Sequence, residues 1–150
     1  SITPLQIALS DKTTIDMFNY NNLAPGGALH ALGEPVDHKG DVFQPIFKQP
    51  VLAYRIDDLV EQFRMPIPNH IKIDVDGIEF RILEGAQKTL VNPLVTSVLL
   101  ELEEGRGEAN KVIEFLAHKG LKFHSKYKFV YGGDTGEFSR AYNYIFRRGI

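Results

Sequence analysis

Cysteine is absent from the 150 residues, which excludes disulfides, thiolate metal sites and a cysteine nucleophile. That absence fits a reducing compartment, and the expected location is cytoplasmic. Long apolar runs are missing too. None approaches the roughly 20 residues of a membrane span, so no membrane association is expected. Basic charge is not in excess: 17 Lys and Arg stand against 19 Asp and Glu, a formal net charge of −2. A nucleic-acid partner is therefore not expected. Several phosphate and catalytic signatures are also lacking, namely G-x-G-x-x-G, G-x-x-x-x-G-K-[ST], G-x-S-x-G and H-E-x-x-H. Gly132, Gly133 and Gly136 do cluster, but between two expected antiparallel strands, the wrong context for a phosphate loop.

What remains is ordinary: 43% hydrophobic and 24% charged residues, as in globular proteins generally. A chain of this length is expected to form a single domain that buries roughly 70% of its unfolded surface. It opens on Ser1, and an apolar alternation begins almost at once. The expectation is a piece of something longer.

The most informative stretch is 70–86, HIKIDVDGIEFRILEGA. Ile71, Ile73 and Val75 alternate with Lys72 and Asp74, the period of a strand. Gly77 permits a tight turn or close backbone approach. From Ile78 the spacing of Ile82, Leu83, Ala86 and Leu90 is that of a packed helix. In open α/β sheets, ligands bind at the carboxyl ends of strands, which is where Asp74 and Asp76 fall.

Around that centre the expected order is strand, long insert, short helix, strand, helix, strand, helix, hairpin. Leu5–Leu9 is the firm part of a first strand interrupted by Pro4, and Ile15–Tyr20 gives a weak second signal. Residues 21–50 hold four prolines and four glycines without a sustained period, and are expected to be irregular. His30 and His38 lie there, either as solvated loop histidines or in contact with substrate. Asp57 or Asp58 is expected to cap a short helix carrying Leu59, Val60 and Phe63. Val98–Leu100 reads as a strand covered on both faces. Ala109, Val112, Ile113, Leu116 and Ala117 mark a helix ended by Gly120. Lys122–Val130 and Ala141–Arg147 read as a hairpin. The fold class is α/β, with a mainly parallel sheet and a C-terminal antiparallel hairpin.

Two residues apart in an extended chain, Asp74 and Asp76 would lie about 6–7 Å from each other. At an effective dielectric near 20 they would repel by about 2–3 kcal/mol. Glu79 follows one helical turn later. Such acids serve a metal, a cationic ligand, proton transfer or a helix cap. A calcium loop is excluded, because its first ligand position would be Lys72 and its twelfth Leu83. An Asp-x-Asp metal clamp of the glycosyltransferase kind remains an alternative, as does a non-catalytic α/β module with structural acids. No metal site is expected from the histidines.

These residues carry a resemblance. YRIDDL (54–59), IKIDVDGIEFRILEGA (71–86) and LLELEE (99–104) are similar, in order and spacing, to successive blocks of the FkbM-type methyltransferase family. LQIALSD (5–11) resembles the Ala-Val/Leu-Ser-Asp strand found earlier in that family. The resemblance implies a partial class I, Rossmann-like methyltransferase sheet, S-adenosylmethionine as the methyl donor, and a small-molecule or sugar acceptor methylated on oxygen. It implies donor contacts from Ala8, Ser10, Asp11, Asp76 and Gly77, catalytic roles for Asp74 and Glu79, and acceptor contacts from Glu101 and His30. Two departures stand out. Asp76 occupies the position where the family usually has Glu. The family's first strand, its glycine loop and the acidic end of its second strand have no counterpart here. Without them, Leu5–Leu9 is expected either to pair beside Ile71–Val75 or to pack poorly.

Overall fold

A computed structural model describes residues 2–37, 39–104, 108–128 and 141–149. The chain forms two compact units, Ser1–Met65 with Asp76–Ala86, and Pro66–Val75 with Gln87–Ile150. Each has its own sheet of four strands, and both combine strands with helices.

The first unit holds β1 (Ala8–Leu9), β2 (Thr14–Tyr20), β3 (Ala31–Leu32), β4 (Phe47–Tyr54), α1 (Ile56–Glu61) and α2 (Glu79–Glu84). Its strand order is β1-β4-β2-β3. β1 runs parallel to β4, with Ala8 opposite Ala53 and Leu9 opposite Tyr54. The backbone N–H of Ser10 extends that ladder to the Tyr54 carbonyl at 2.9 Å. Leu5–Leu9 therefore does not pair beside Ile71–Val75. Its partner is β4, and only its last two residues are strand. Ahead of them Ile2 is 95% and Leu5 50% exposed.

The irregular segment is shorter than the composition of 21–50 implies, because β4 begins at Phe47 and runs through Pro50. Proline survives there because β1 covers only Ala53 and Tyr54, so nothing in the sheet asks Pro50 for a donor on that side. β2 is the longest antiparallel partner of β4, paired from Thr14–Ala53 to Tyr20–Phe47. Its weak sequence signal has a physical source. Asn19 is buried in an otherwise mixed strand, and its amide donates to the Gly33 carbonyl at 2.7 Å.

α1 departs from the capped helix that Asp57 or Asp58 suggested. Arg55 occupies the cap position without a side-chain bond, and both aspartates lie buried in the first turn. Buried carboxylates need partners. Arg55 meets Asp57 at 3.2 Å and Asp58 at 3.7 Å, and the Thr13 hydroxyl donates to Asp58 at 2.5 Å.

The expected single helix from Ile78 to Leu90 is two, α2 and α3 (Gln87–Val91), parted at Gly85 and Ala86. A Cβ on Gly85 would stand 2.1 Å from the Ser10 carbonyl oxygen. The Gly85 carbonyl accepts from the Asp57 N–H at 3.0 Å. Two backbone segments thus meet Gly85 at main-chain distance.

The second unit holds β5 (His70–Ile73), α3, β6 (Ser97–Glu103), α4 (Glu108–His118), β7 (Leu121–Lys128) and β8 (Ala141–Arg148), in the order β5-β6-β8-β7. β5 and β6 are parallel, whereas β8 is antiparallel to both β6 and β7. The expectation of a mainly parallel sheet is corrected. Among the described strands β1–β4 and β5–β6 are parallel, while β2–β3, β2–β4, β6–β8 and β7–β8 are antiparallel. Direct returns such as the one from β7 to β8 need no crossover helix, so the sheets fill with antiparallel neighbours. The hairpin also enters the sheet whole, its second strand lying between β6 and β7. Its connecting residues, with Val130, Gly132, Gly133 and Gly136, lie outside the described residues, as does His38.

β6 is not buried on both faces. Val98, Leu100 and Leu102 are buried, with half-buried residues between them. They pack in a core with Leu90, Val95, Val112, Leu116, Leu121 and Phe146. On α4 only Val112 and Leu116 of the expected stripe are fully buried, and Gly120 ends the helix at φ +82° as its position suggested. Arg148 closes this core. Its guanidinium donates to the carbonyls of Leu90 at 2.6 Å, Val95 at 2.9 Å and Lys119 at 2.9 Å.

Two outcomes follow. Gly85→Ala is expected to cost about 1–3 kcal/mol through the forced Ser10 contact, despite alanine's higher helix propensity. A lower urea midpoint checks it, and an unchanged or raised midpoint refutes it. Arg148→Met should cost at least about 2 kcal/mol by orphaning three carbonyls, with Arg148→Lys restoring only part because it lacks the fork. Chemical denaturation of the three proteins decides.

Candidate active site

The acidic turn begins where β5 stops, at Ile73, so Asp74 and Asp76 lie beyond the strand rather than on it. The chain is not extended across them, since β5 ends at Ile73. The turn instead gives each acid its own partner, and the boundary between the units falls between Val75 and Asp76.

In the first unit, Asp76 accepts the backbone N–H of Leu29 at 2.7 Å. Leu29 has φ +64°, a left-handed conformation that costs a non-glycine residue about 1–2 kcal/mol. A hydrogen bond to a charged acceptor, about 1.5–3 kcal/mol, is enough to hold it. Gly77 follows at φ +101°, where glycine alone is unstrained, and its N–H donates to Glu79 at 3.3 Å. Glu79 is 5% exposed at the start of α2. His30, next to Leu29, packs its ring 5.1 Å from Tyr20 and 5.8 Å from Phe18. Its Nδ1 accepts the Asn21 N–H at 3.3 Å, so the neutral ring carries its proton on Nε2 and presents a donor.

Ala8 is half-buried in β1, and the strand leads directly to buried Ser10 and half-buried Asp11. These two meet Arg81 of α2. Arg81 Nε donates to Asp11 Oδ1 at 3.0 Å, Nη2 to Ser10 Oγ at 3.0 Å and Nη1 to the Leu32 carbonyl at 3.3 Å, and Asp16 stands 3.8 Å from Nη2. Ser10 Oγ donates in turn to Asp11 Oδ1 at 2.9 Å. Burial alone would raise the Asp11 pKa, but the bonds from Ser10 and Arg81 and the Arg81 charge outweigh it, and the carboxyl titrates below its usual range.

In the second unit, Asp74 pairs with Lys72 at 2.6 Å, both substantially exposed. The hydrogen bond from Lys72 to Asp74 raises the lysine's pKa, and Glu101 on β6 adds to that. Asp74 and Glu101 are thus both felt by one lysine. Just past β6, Glu104 meets Lys126 and accepts the Tyr144 hydroxyl at 3.0 Å. Lys126 lies 4.9 Å above the Tyr142 ring and 5.6 Å above that of Tyr144. Burial, then Glu104, raise the Tyr144 pKa. Among the described residues, no three His, Asp or Glu side chains are grouped to hold a metal ion.

The sequence singles out Ser10, Asp11, Asp76, Gly77 and Glu79. It misses Arg81, which reads locally as a polar position on a short helix. Its partners at 10, 11, 16 and 32 lie about 50–70 residues away, and nothing in the helical period points to them. The Glu104–Lys126–Tyr144 group was missed for the same reason.

A depressed carboxyl pKa contributes stability that is present above the unfolded value, about 3.9, and is lost as pH falls through the lower folded value. The stability difference between the parent and Asp11→Asn should therefore be largest above about pH 4 and shrink below it. Urea midpoints from pH 2 to 7 measure it. A difference independent of pH contradicts the assignment.

Among the described residues no helix is long and apolar enough to cross a membrane. No curated protein and no solved structure matches the chain. Residues 1–131 match the family described as the methyltransferase FkbM domain, and the match takes in every strand but β8 and every acid described above. The chain belongs to the FkbM methyltransferase domain family.

Proposed function

We propose that this chain belongs to an S-adenosylmethionine-dependent methyltransferase that methylates oxygen on a small-molecule or sugar acceptor. The observation that carries the reading is the 71–86 signature itself. It folds as a strand, an acidic turn with glycine at positive φ, and a helix, within the stretch that matches the family. The order β5-β6-β8-β7, with β8 antiparallel to both neighbours, is the sequence 4-5-7-6 of a class I sheet and supports that architecture.

The donor would be held by the first unit. Asp11 and Asp76 offer partly exposed carboxylates to a cation and to hydrogen-bond donors, and Ala8, Ser10 and Gly77 bring the backbone beside them. This set fits a cationic ligand of that chemistry. When bound, the donor supplies an electrophilic methyl group on a sulfonium. The chain's own groups align the acceptor oxygen and take its proton. Glu79, buried and fixed through the Gly77 N–H, or Asp74, steadied by Lys72, receives that proton. His30, a donor at Nε2, contacts the acceptor. The metal-dependent glycosyltransferase alternative has no comparable support, since residues 1–131 match a methyltransferase family.

The test is titration calorimetry with S-adenosylmethionine on this chain and on a version extended upstream. Saturable heat with the extended protein is expected, and its absence overturns the reading. In the active protein, replacing the true base, by Glu79→Gln or Asp74→Asn, should lower kcat about 100-fold or more while donor affinity changes little. If both variants keep full turnover, neither residue is the base.

A further inference from the structure

We infer that Arg81 is the residue that positions the donor-binding edge of the first sheet, an inference that rests on the proposed function. The three guanidinium nitrogens together reach three chain segments. Nε and Nη2 take the end of β1 at Asp11 and Ser10, Nη1 takes the carbonyl of Leu32 in β3, and Nη2 also faces Asp16 of β2. Arg81 thus ties three strands of one sheet to one helix.

The geometry is specific for arginine. Only a planar fork reaches a carboxylate, a hydroxyl and a carbonyl from one side chain, and a lysine ammonium would reproduce the charge but not the spread of donors. Asp11 Oδ1 accepts from both Ser10 and Arg81, so its carboxylate plane is fixed, and Oδ2 takes no part in that network. One turn along α2 from Arg81, Gly85 presses its Cα against the Ser10 carbonyl, where a Cβ would lie at 2.1 Å. Ser10 is therefore held from α2 twice, by a side chain and by main-chain contact. The cation also separates Asp11 from Asp16, whose like charges would otherwise push the β1 end and β2 apart. Beside the guanidinium, Gly33 at φ +88° has Nη1 3.4 Å from where its Cβ would be, so the turn after β3 is shaped around the same group.

Arg81 acts through Ser10 and Asp11 and is a positioning residue. Its loss should blur the donor subsite and spare the acceptor.

The experiment compares the upstream-extended protein with its Arg81→Met and Arg81→Lys variants. Three readouts are taken: S-adenosylmethionine Kd by calorimetry, KM for the acceptor, and amide hydrogen exchange without ligand. Arg81→Met should raise the donor Kd at least tenfold, leave the acceptor KM within twofold, and speed exchange at residues 8–11 and 31–33 more than at 82–86. Arg81→Lys should fall between the two. If Arg81→Met does not fold, the Lys variant decides on the same criteria. Unchanged donor Kd and exchange overturn the inference, as does an equal weakening of donor and acceptor, which marks a merely structural arginine. If the unsubstituted protein takes up no donor, the proposed function itself fails. That result differs from one in which only the variants lose binding.

Discussion

The first unit depends on one close approach, that of α2 to the segment leaving β1. Gly85 lets two backbones meet at van der Waals distance, and Arg81 turns that meeting into a bonded junction. From it follow the break between α2 and α3, the burial of Ser10 at 1% exposure, and the fixed plane of the Asp11 carboxylate. A side chain at position 85 would push the junction apart. A shorter or unforked side chain at position 81 would leave a buried hydroxyl and two carboxylates seeking other partners.

Arginine does comparable work in the second unit, with a different purpose. Arg148 gathers carbonyls from α3, the segment leading into β6 and the turn after α4, so helix ends that leave acceptors unsatisfied share one cation. Among the described residues no carboxylate is bonded to Arg148, and the arrangement supports packing. Arg81 holds carboxylates and a hydroxyl at a strand end. Arg148 has carbonyl partners alone in that arrangement, whereas Arg81 adds ionisable and hydroxyl partners to the Leu32 carbonyl.

The acidic turn was the most legible feature of the sequence and also the one most altered in detail. Its existence followed from Asp74, Asp76, Gly77 and the change of period at Ile78. Its electrostatics did not. Reasoning from an extended strand set the two aspartates against each other, whereas the strand ends at Ile73 and each finds its own donor, Lys72 for one and the Leu29 N–H for the other. Lys72 is near enough in sequence to have been anticipated. Leu29 is not, and its left-handed backbone has no signature in a leucine.

By itself the sequence determined the kinds of element and the family. Alternation at 71–75, helical spacing at 82–90 and 112–116, and Gly120 as a helix stop are local properties, written in nearest-neighbour sterics and hydrophobic period. The signature block, LQIALSD and LLELEE sit in order along one chain, which is enough to place it among the FkbM methyltransferases. Only tertiary structure decided which strands pair, that a helix breaks at Gly85, and that Arg81 meets Ser10, Asp11 and the Leu32 carbonyl. Each of those depends on groups far apart in sequence meeting at fixed distance. No local period encodes such a meeting, because its energy exists only once both segments are in place.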